Sequence, residues 1–207
     1  MLEVLLAFDP VVLAAFVGAG LLVNITPGVD FVYVSASGMQ GGPRMGMAAA
    51  LGINLGVAVH VIAAAAGLSA LLLAAPGAYL TIKLLGAAYL FWLAWQAWNS
   101  SDELGSAKTD PSMTRAVQRG FLTNILNPKT ALFIFAFIPQ FTDPDIGPVA
   151  TQILILGAIF LVNGLIFSLT LGALAGLLAD QVRARVRYLN KLTAILFGGL
   201  AARLIID

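Results

Sequence analysis

Two short stretches hold the residue types that could do chemistry in this chain. They are Asn24-Ile25-Thr26-Pro27-Gly28-Val29-Asp30 and Asn124-Ile125-Leu126-Asn127-Pro128-Lys129. Each leads from side-chain amides or a hydroxyl through a proline to an ionisable group. Pro27 lacks a helical donor and excludes the carbonyl four residues back, and Gly28 tolerates unusual dihedrals. A helix should kink or open there, freeing carbonyls near Val23 and Asn24 and leaving N–H groups on the half-helix that follows. Freed carbonyls suit an ammonium or another cation, and a half-helix N-terminus suits a carboxylate. A packing kink satisfied by Asn24 or Thr26 is the alternative, and the matching break at Asn127-Pro128 weighs against it.

Asp30 and Lys129 are the ionisable groups nearest those breaks. As a structural pair they would neutralise one another. As working groups, Asp30 would bind an ammonium or a proton while Lys129 attracts a carboxylate. Burial in lipid disfavours both charged forms and pairing favours them, a balance that proton coupling can use. His60 is the only histidine; a packing role and a proton-relay role shared with Asp30 both fit it. With no cysteine beside it, a metal site lacks partners, and no cofactor is expected. Asn54 and Asn163 either line a path or act as interhelical glue. There is no HExxH, no GxSxG, no phosphate-cradling glycine loop and no acid pair at catalytic spacing, so no enzyme is expected. ATP-driven transport within the chain is excluded on the same ground, which leaves an ion gradient.

Composition says what must position these residues. Of 207 residues, 60% are hydrophobic and 10% charged, with mean hydropathy +0.95, whereas a soluble domain is roughly 25% charged. A soluble enzyme and a nucleic-acid binder are excluded, and the net charge of +1 implies no polyanionic partner. The N-terminal MLEVLLAFDP has no basic n-region or small-residue cleavage site, so its apolar segment is expected to stay in the mature protein. The chain reads as an all-α integral membrane protein with about six spans. They fall near 11–37, 45–73 and 78–98, then near 116–141, 149–178 and 188–206. Pro76-Gly77 divides the second from the third. A cytoplasmic linker over 99–115 separates a first three-helix repeat, 1–98, from a second, 116–207. With the N-terminus outside, Arg44, Lys108, Arg115, Arg119, Arg183, Arg185, Arg187 and Lys191 all fall at cytoplasmic loops or flanks, giving an N-out/C-out topology. Trp92, Trp95 and Trp98 then form an interfacial belt.

The halves would have opposite orientation, a 3+3 inverted repeat with broken helices one and four. Small residues at i, i+4 in spans two and five (Gly52 and Gly56, Gly172 and Gly176) would let helices approach closely. A homodimer through glycine-rich faces is left open. On these spans Asn24, Thr26, His60, Asn124, Asn127, Lys129 and Asn163 fall near the midplane. Asp30 is expected about two helical turns further toward the cytoplasm.

The sequence resembles the lysine-exporter (LysE/RhtB) family of small bacterial amino-acid efflux proteins. The resemblance rests on Asn24 to Asp30, on Gly52-x-x-x-Gly56-x-x-x-His60 running into Gly67-Leu68-Ser69, and on Gly86 to Leu90. It continues through Gly120-Phe121-Leu122-Thr123 into Asn124 to Lys129 and ends at Pro139-Gln140-Phe141, with Val29 where the family usually has a second proline. It implies proton-driven export of amino acids or close derivatives across a bacterial inner membrane by a multi-pass secondary transporter. Asn24, Thr26, Pro27, Gly28, Asp30, Asn124, Asn127, Pro128 and Lys129 would form the translocation site, and the partners would be lipid, substrate and protons. Efflux of another small solute, such as a cation or a lactone, and a non-transporting membrane scaffold are the alternatives.

Overall fold

The first long helix begins where Asp9 accepts a hydrogen bond from Val11 N at 2.7 Å and Pro10 supplies a preset φ at the first helical position. The computed structural model describes residues 1–74 and 112–175, with scattered positions between 84 and 99 and between 177 and 202. After a short helix α1 (Leu2–Ala7), α2 (Pro10–Ile25) ends at Thr26 because Pro27 cannot continue it. The chain restarts as α3 (Val29–Gly41), bent by 57° from α2. Gly42, at φ +82°, turns the chain into α4 (Pro43–Ala74). Pro76-Gly77, residues 101–111 of the linker and most of the third and sixth spans lie outside the described residues.

The second described stretch repeats this pattern. Ser112 caps α5 (Met113–Ile125), which stops at Leu126, and Asn127 caps α6 (Pro128–Leu132) with proline again at the first position. The helix then loosens into a π-helical turn, Phe133–Phe137, and tightens into a 3₁₀ turn, Ile138–Phe141. The bend across this break is 55°. A further 3₁₀ turn (Pro144–Ile146) leads to α7 (Val149–Ala173). Buried Gln152 ties that connection down, accepting from Asp143 N at 2.8 Å and donating to the Asp143 and Gly147 carbonyls. Among the described residues every element is helical. Two helices, Pro43–Gly67 and Val149–Ala173, are long and apolar enough to cross a bilayer, or up to four if each bent pair is one span.

Helix α4 lies at the centre, between α5 and α7, because glycines let backbones touch. A Cβ at Gly52 would sit 2.9 Å from Phe121 N, and one at Gly172 would sit 2.9 Å from Met47 N. Gly56 in turn faces the side chain of Asn124. Gly52, Gly56 and Gly172 thus allow the close helix approach expected of them, and Gly176 lies outside the described residues. Leu51, Leu55, Val59 and Ile62 of α4 and Val162 and Ile166 of α7 remain exposed, as lipid-facing side chains should. Phe16, Phe133, Phe137 and Phe160 are buried, with Phe133 4.5 Å from Phe137 and 4.8 Å from Phe160 between ring centroids. Because α4 meets α7 with no room for a side chain, Gly172→Val should destabilise the fold by about 1–3 kcal/mol. Thermal unfolding in detergent measures this, and an unshifted midpoint would mean that the helices do not approach so closely.

Candidate functional site

The two breaks meet. At the first, Thr26 N and Thr26 Oγ1 both donate to the Leu22 carbonyl, at 3.0 and 2.6 Å. Val23 loses its helical donor because residue 27 is proline. Thr26 loses its own because the first helical bond of α3 runs from Val32 N to the Gly28 carbonyl, 2.9 Å. Both carbonyls accept from Lys129 Nζ, at 3.3 Å for Val23 and 3.1 Å for Thr26. The expected opening of carbonyls is present, and a cation of the chain itself fills it.

The second break supplies donors for the opposite charge. Asp30, in the first turn of α3, points Oδ2 at the α5–α6 junction. It accepts from Asn124 Nδ2 at 2.8 Å, Asn127 Nδ2 at 2.9 Å and Thr130 Oγ1 at 3.2 Å. Asp30 Oδ1 is buried without a partner. Three donors thus converge on one oxygen, which only accepts. Asn127 does double duty, since its Oδ1 also caps α6 through Lys129 N at 3.0 Å. Asp30 and Lys129 act on one another electrostatically, but each is held by neutral dipoles and no contact ion pair joins them among the described residues.

Asp30 therefore lies level with Asn124 and Asn127. The expectation that it sits about two turns nearer the cytoplasm is corrected, because that count ran along a straight helix and the chain bends by 57°. His60 stands one step behind this network, with Nε2 3.2 Å from the Asn124 carbonyl. Since a carbonyl only accepts, Nε2 carries the proton. His60 thus holds the backbone of a residue whose side chain holds Asp30.

Between the breaks is a cavity with about 60 Å³ open to a water-sized sphere. At roughly 10–15 Å³ per water on that measure, it has room for about four to six waters. Asn24, Thr26, Gly28, Asp30, Asn127 and Lys129 line it, with Asn54 and Ser168 across from them. Pro27 and Pro128 shape the breaks without lining the cavity, and Asn163 also lies off it. Asn54 Nδ2 donates to Ser168 Oγ at 2.8 Å, while Asn24 Nδ2 is buried with no partner. The apolar wall includes Phe31, Ile53, Val57, Phe160 and Phe167. Sequence reasoning missed Thr130 and Ser168. Thr130 had a signal, because it stands three residues after the capping Asn127 and so faces the same break. Among the described residues, no three His, Cys, Asp or Glu side chains gather to hold a metal ion.

Two broken helices that meet at a small polar cavity inside an apolar bundle define a multi-pass membrane translocator. The chain belongs to the LysE type translocator family, whose model matches residues 21–207. Over 191 residues it is 31% identical to an uncharacterized membrane protein of Vibrio cholerae, covering 89% of this chain and 92% of that one. Over 187 residues it is 28% identical to a homoserine/homoserine lactone efflux protein of Salmonella typhimurium, covering 88% and 90%. A leucine efflux protein of Enterobacter sp. is 31% identical over 198 residues, covering 91% and 92%. No solved structure matches the chain. The protein resides in the bacterial inner membrane.

If Thr130 serves Asp30, Thr130→Val should lower the unfolding free energy by about 1–3 kcal/mol. In an Asp30→Asn background the loss should shrink by at least about 0.5 kcal/mol. Additive losses in a double-mutant cycle of detergent unfolding would break that link.

Proposed function

We propose that this translocator exports amino acids or close derivatives from the cytoplasm as a secondary transporter driven by the proton-motive force. The observation that carries the reading is one cavity flanked by a carboxylate with a bare oxygen and by a lysine ammonium, each held by a different helix break. A zwitterion has the complementary pair of groups. Its ammonium would go to Asp30 Oδ1, and its carboxylate to Lys129 and the α3 N-terminus, where Gly28 has no side chain to cap the first N–H groups. Relatives named for leucine and for homoserine or homoserine lactone efflux support a neutral amino acid or its derivative.

The architecture proposed for this cycle has six spans, N-out and C-out. Two three-helix repeats, 1–98 and 116–207, are joined by the 99–115 linker and rock against one another. Bends of 57° and 55° at corresponding breaks support the repeat. Lys191 Nζ lies 5.5 Å from the centre of the Trp98 ring. That supports placing the end of span three and the start of span six on the same side of the membrane. Protonation of Asp30, with His60 as the relay, would release the substrate outside.

Cells overexpressing the protein, preloaded with a mixed dipeptide pool and profiled over the twenty released amino acids, test the proposal. Export of one or two of them should be abolished by an uncoupler. Asp30→Asn should reduce it at least about tenfold, as loss of a charge-assisted contact would. A profile equal to that of empty-vector cells would sink amino-acid export and favour another solute or a scaffold role. Unaltered export by Asp30→Asn would remove the carboxylate from the mechanism.

A further inference from the structure

Lys129 belongs to the second break, yet its charge is spent on the first. The Val23 and Thr26 carbonyls lie where the first span is interrupted, between the Thr26 N to Leu22 carbonyl bond that ends one half and the Val32 N to Gly28 carbonyl bond that opens the other. Lys129 Nζ reaches both, at 3.3 and 3.1 Å, across 106 and 103 residues of sequence. An ammonium has three N–H donors, and among the described residues two of them find acceptors. Asp30, a first-turn residue of the same broken span, is not the partner, because neutral donors already hold its Oδ2. Beside Lys129, Asp30 Oδ1 and Asn24 Nδ2 are buried and unpaired. The site thus holds one ammonium, two carbonyls and a bare carboxylate oxygen around a cavity large enough for a small solute.

We infer that Lys129 is a tethered stand-in for the ligand's ammonium. It fills a carbonyl cation site at Val23 and Thr26 while the carrier is empty and gives that site up to an incoming primary ammonium. The inference rests on the amino-acid reading for the identity of the physiological ligand, though the cation site can be tested without it. The two groups are chemically the same, –NH₃⁺, so the carbonyls accept either on equal terms. An entering zwitterion offers its ammonium to the carbonyls and to Asp30 Oδ1, and its carboxylate becomes a partner for the displaced Lys129. Gly28 lies against the lysine, since a Cβ there would make ordinary contact with its Nζ at 3.6 Å and its Cδ at 3.7 Å. Lys129 and Asp30 each keep hydrogen-bond partners in the empty state, and the zwitterion would add one for Oδ1 when bound. The contact also joins the two breaks, so exchanging the lysine for a free ligand releases a tie between them.

The test uses the full chain in detergent with ethylammonium chloride as the probe. Lys129→Ala empties the carbonyl site, and ethylammonium should raise its thermal midpoint by roughly 3–6 °C. Propanol, which matches the shape without the charge, and tetramethylammonium, which has the charge without N–H donors, should not. Wild type should respond less than Lys129→Ala, because ethylammonium must displace Lys129 and brings no carboxylate to receive it. Indifference of Lys129→Ala to ethylammonium, or equal stabilisation by propanol, would overturn the inference. If Lys129→Ala cannot be purified, Lys129→Arg decides. Its planar fork keeps the charge and grips two carbonyls more firmly, so the midpoint should hold while KM for the exported amino acid rises about tenfold. A wild-type KM would overturn the inference. If wild type exports no amino acid, the amino-acid reading fails, while the ethylammonium response still decides whether the carbonyls form a cation site.

Discussion

A carboxylate within the hydrocarbon has to be surrounded by donors, and the structure around Asp30 is arranged to meet that requirement. Lipid offers no donors, so the protein must bring them to the carboxylate. Asn124, Asn127 and Thr130 supply them from a second broken helix. The α5 terminus must then lie against the α3 N-terminus, which requires α4 and α5 to pack backbone to backbone. Gly52, Gly56 and Gly120 permit that approach. Close helix packing and the polar site are one problem, because a side chain at Gly56 would occupy the place of the Asn124 amide.

The lysine is handled by the same physics with the polarity reversed. Helix interruption normally strands carbonyls, and stranded carbonyls in lipid cost several kcal/mol each. Here they solvate an ammonium. Using dipoles for both charges leaves each available to a ligand, as a contact ion pair would not. The outer wall of the cavity follows a different rule. Phe160 lines the cavity and packs, with its ring tilted, against Phe133, which begins the π-helical turn. Such turns are locally loose and recur at functional sites, so a pliable segment lies directly against the wall.

Much of this was readable in the sequence. Proline, glycine and asparagine announce a break by local chemistry, so Thr26-Pro27-Gly28 and Asn127-Pro128 marked both bends. Charge-free runs likewise outline α4 and α7. Partnership was not readable. Nothing local says that Lys129 reaches Val23 and Thr26 rather than Asp30, since that depends on how two bent helices cross. Depth was misjudged for Asp30 because counting residues assumes an unbroken axis. Thr130 escaped notice because a neutral hydroxyl in a helix looks ordinary until the carboxylate beside it is seen. The close glycine contacts were foreseen, but their partners within the same chain were not.

The separated pair has an electrical consequence. Asp30 and Lys129 are the charged residues among those lining the cavity, one of each formal sign, so the binding region carries no net charge. A zwitterion adds none. A net charge carried across the bilayer would feel about 2.3 kcal/mol per 100 mV, whereas a neutral site holding a neutral solute feels almost nothing. Moving the loaded or the empty site is therefore close to electrically silent. Any voltage dependence of turnover must then come from a co-moving ion, which makes transport current a direct count of those ions per cycle.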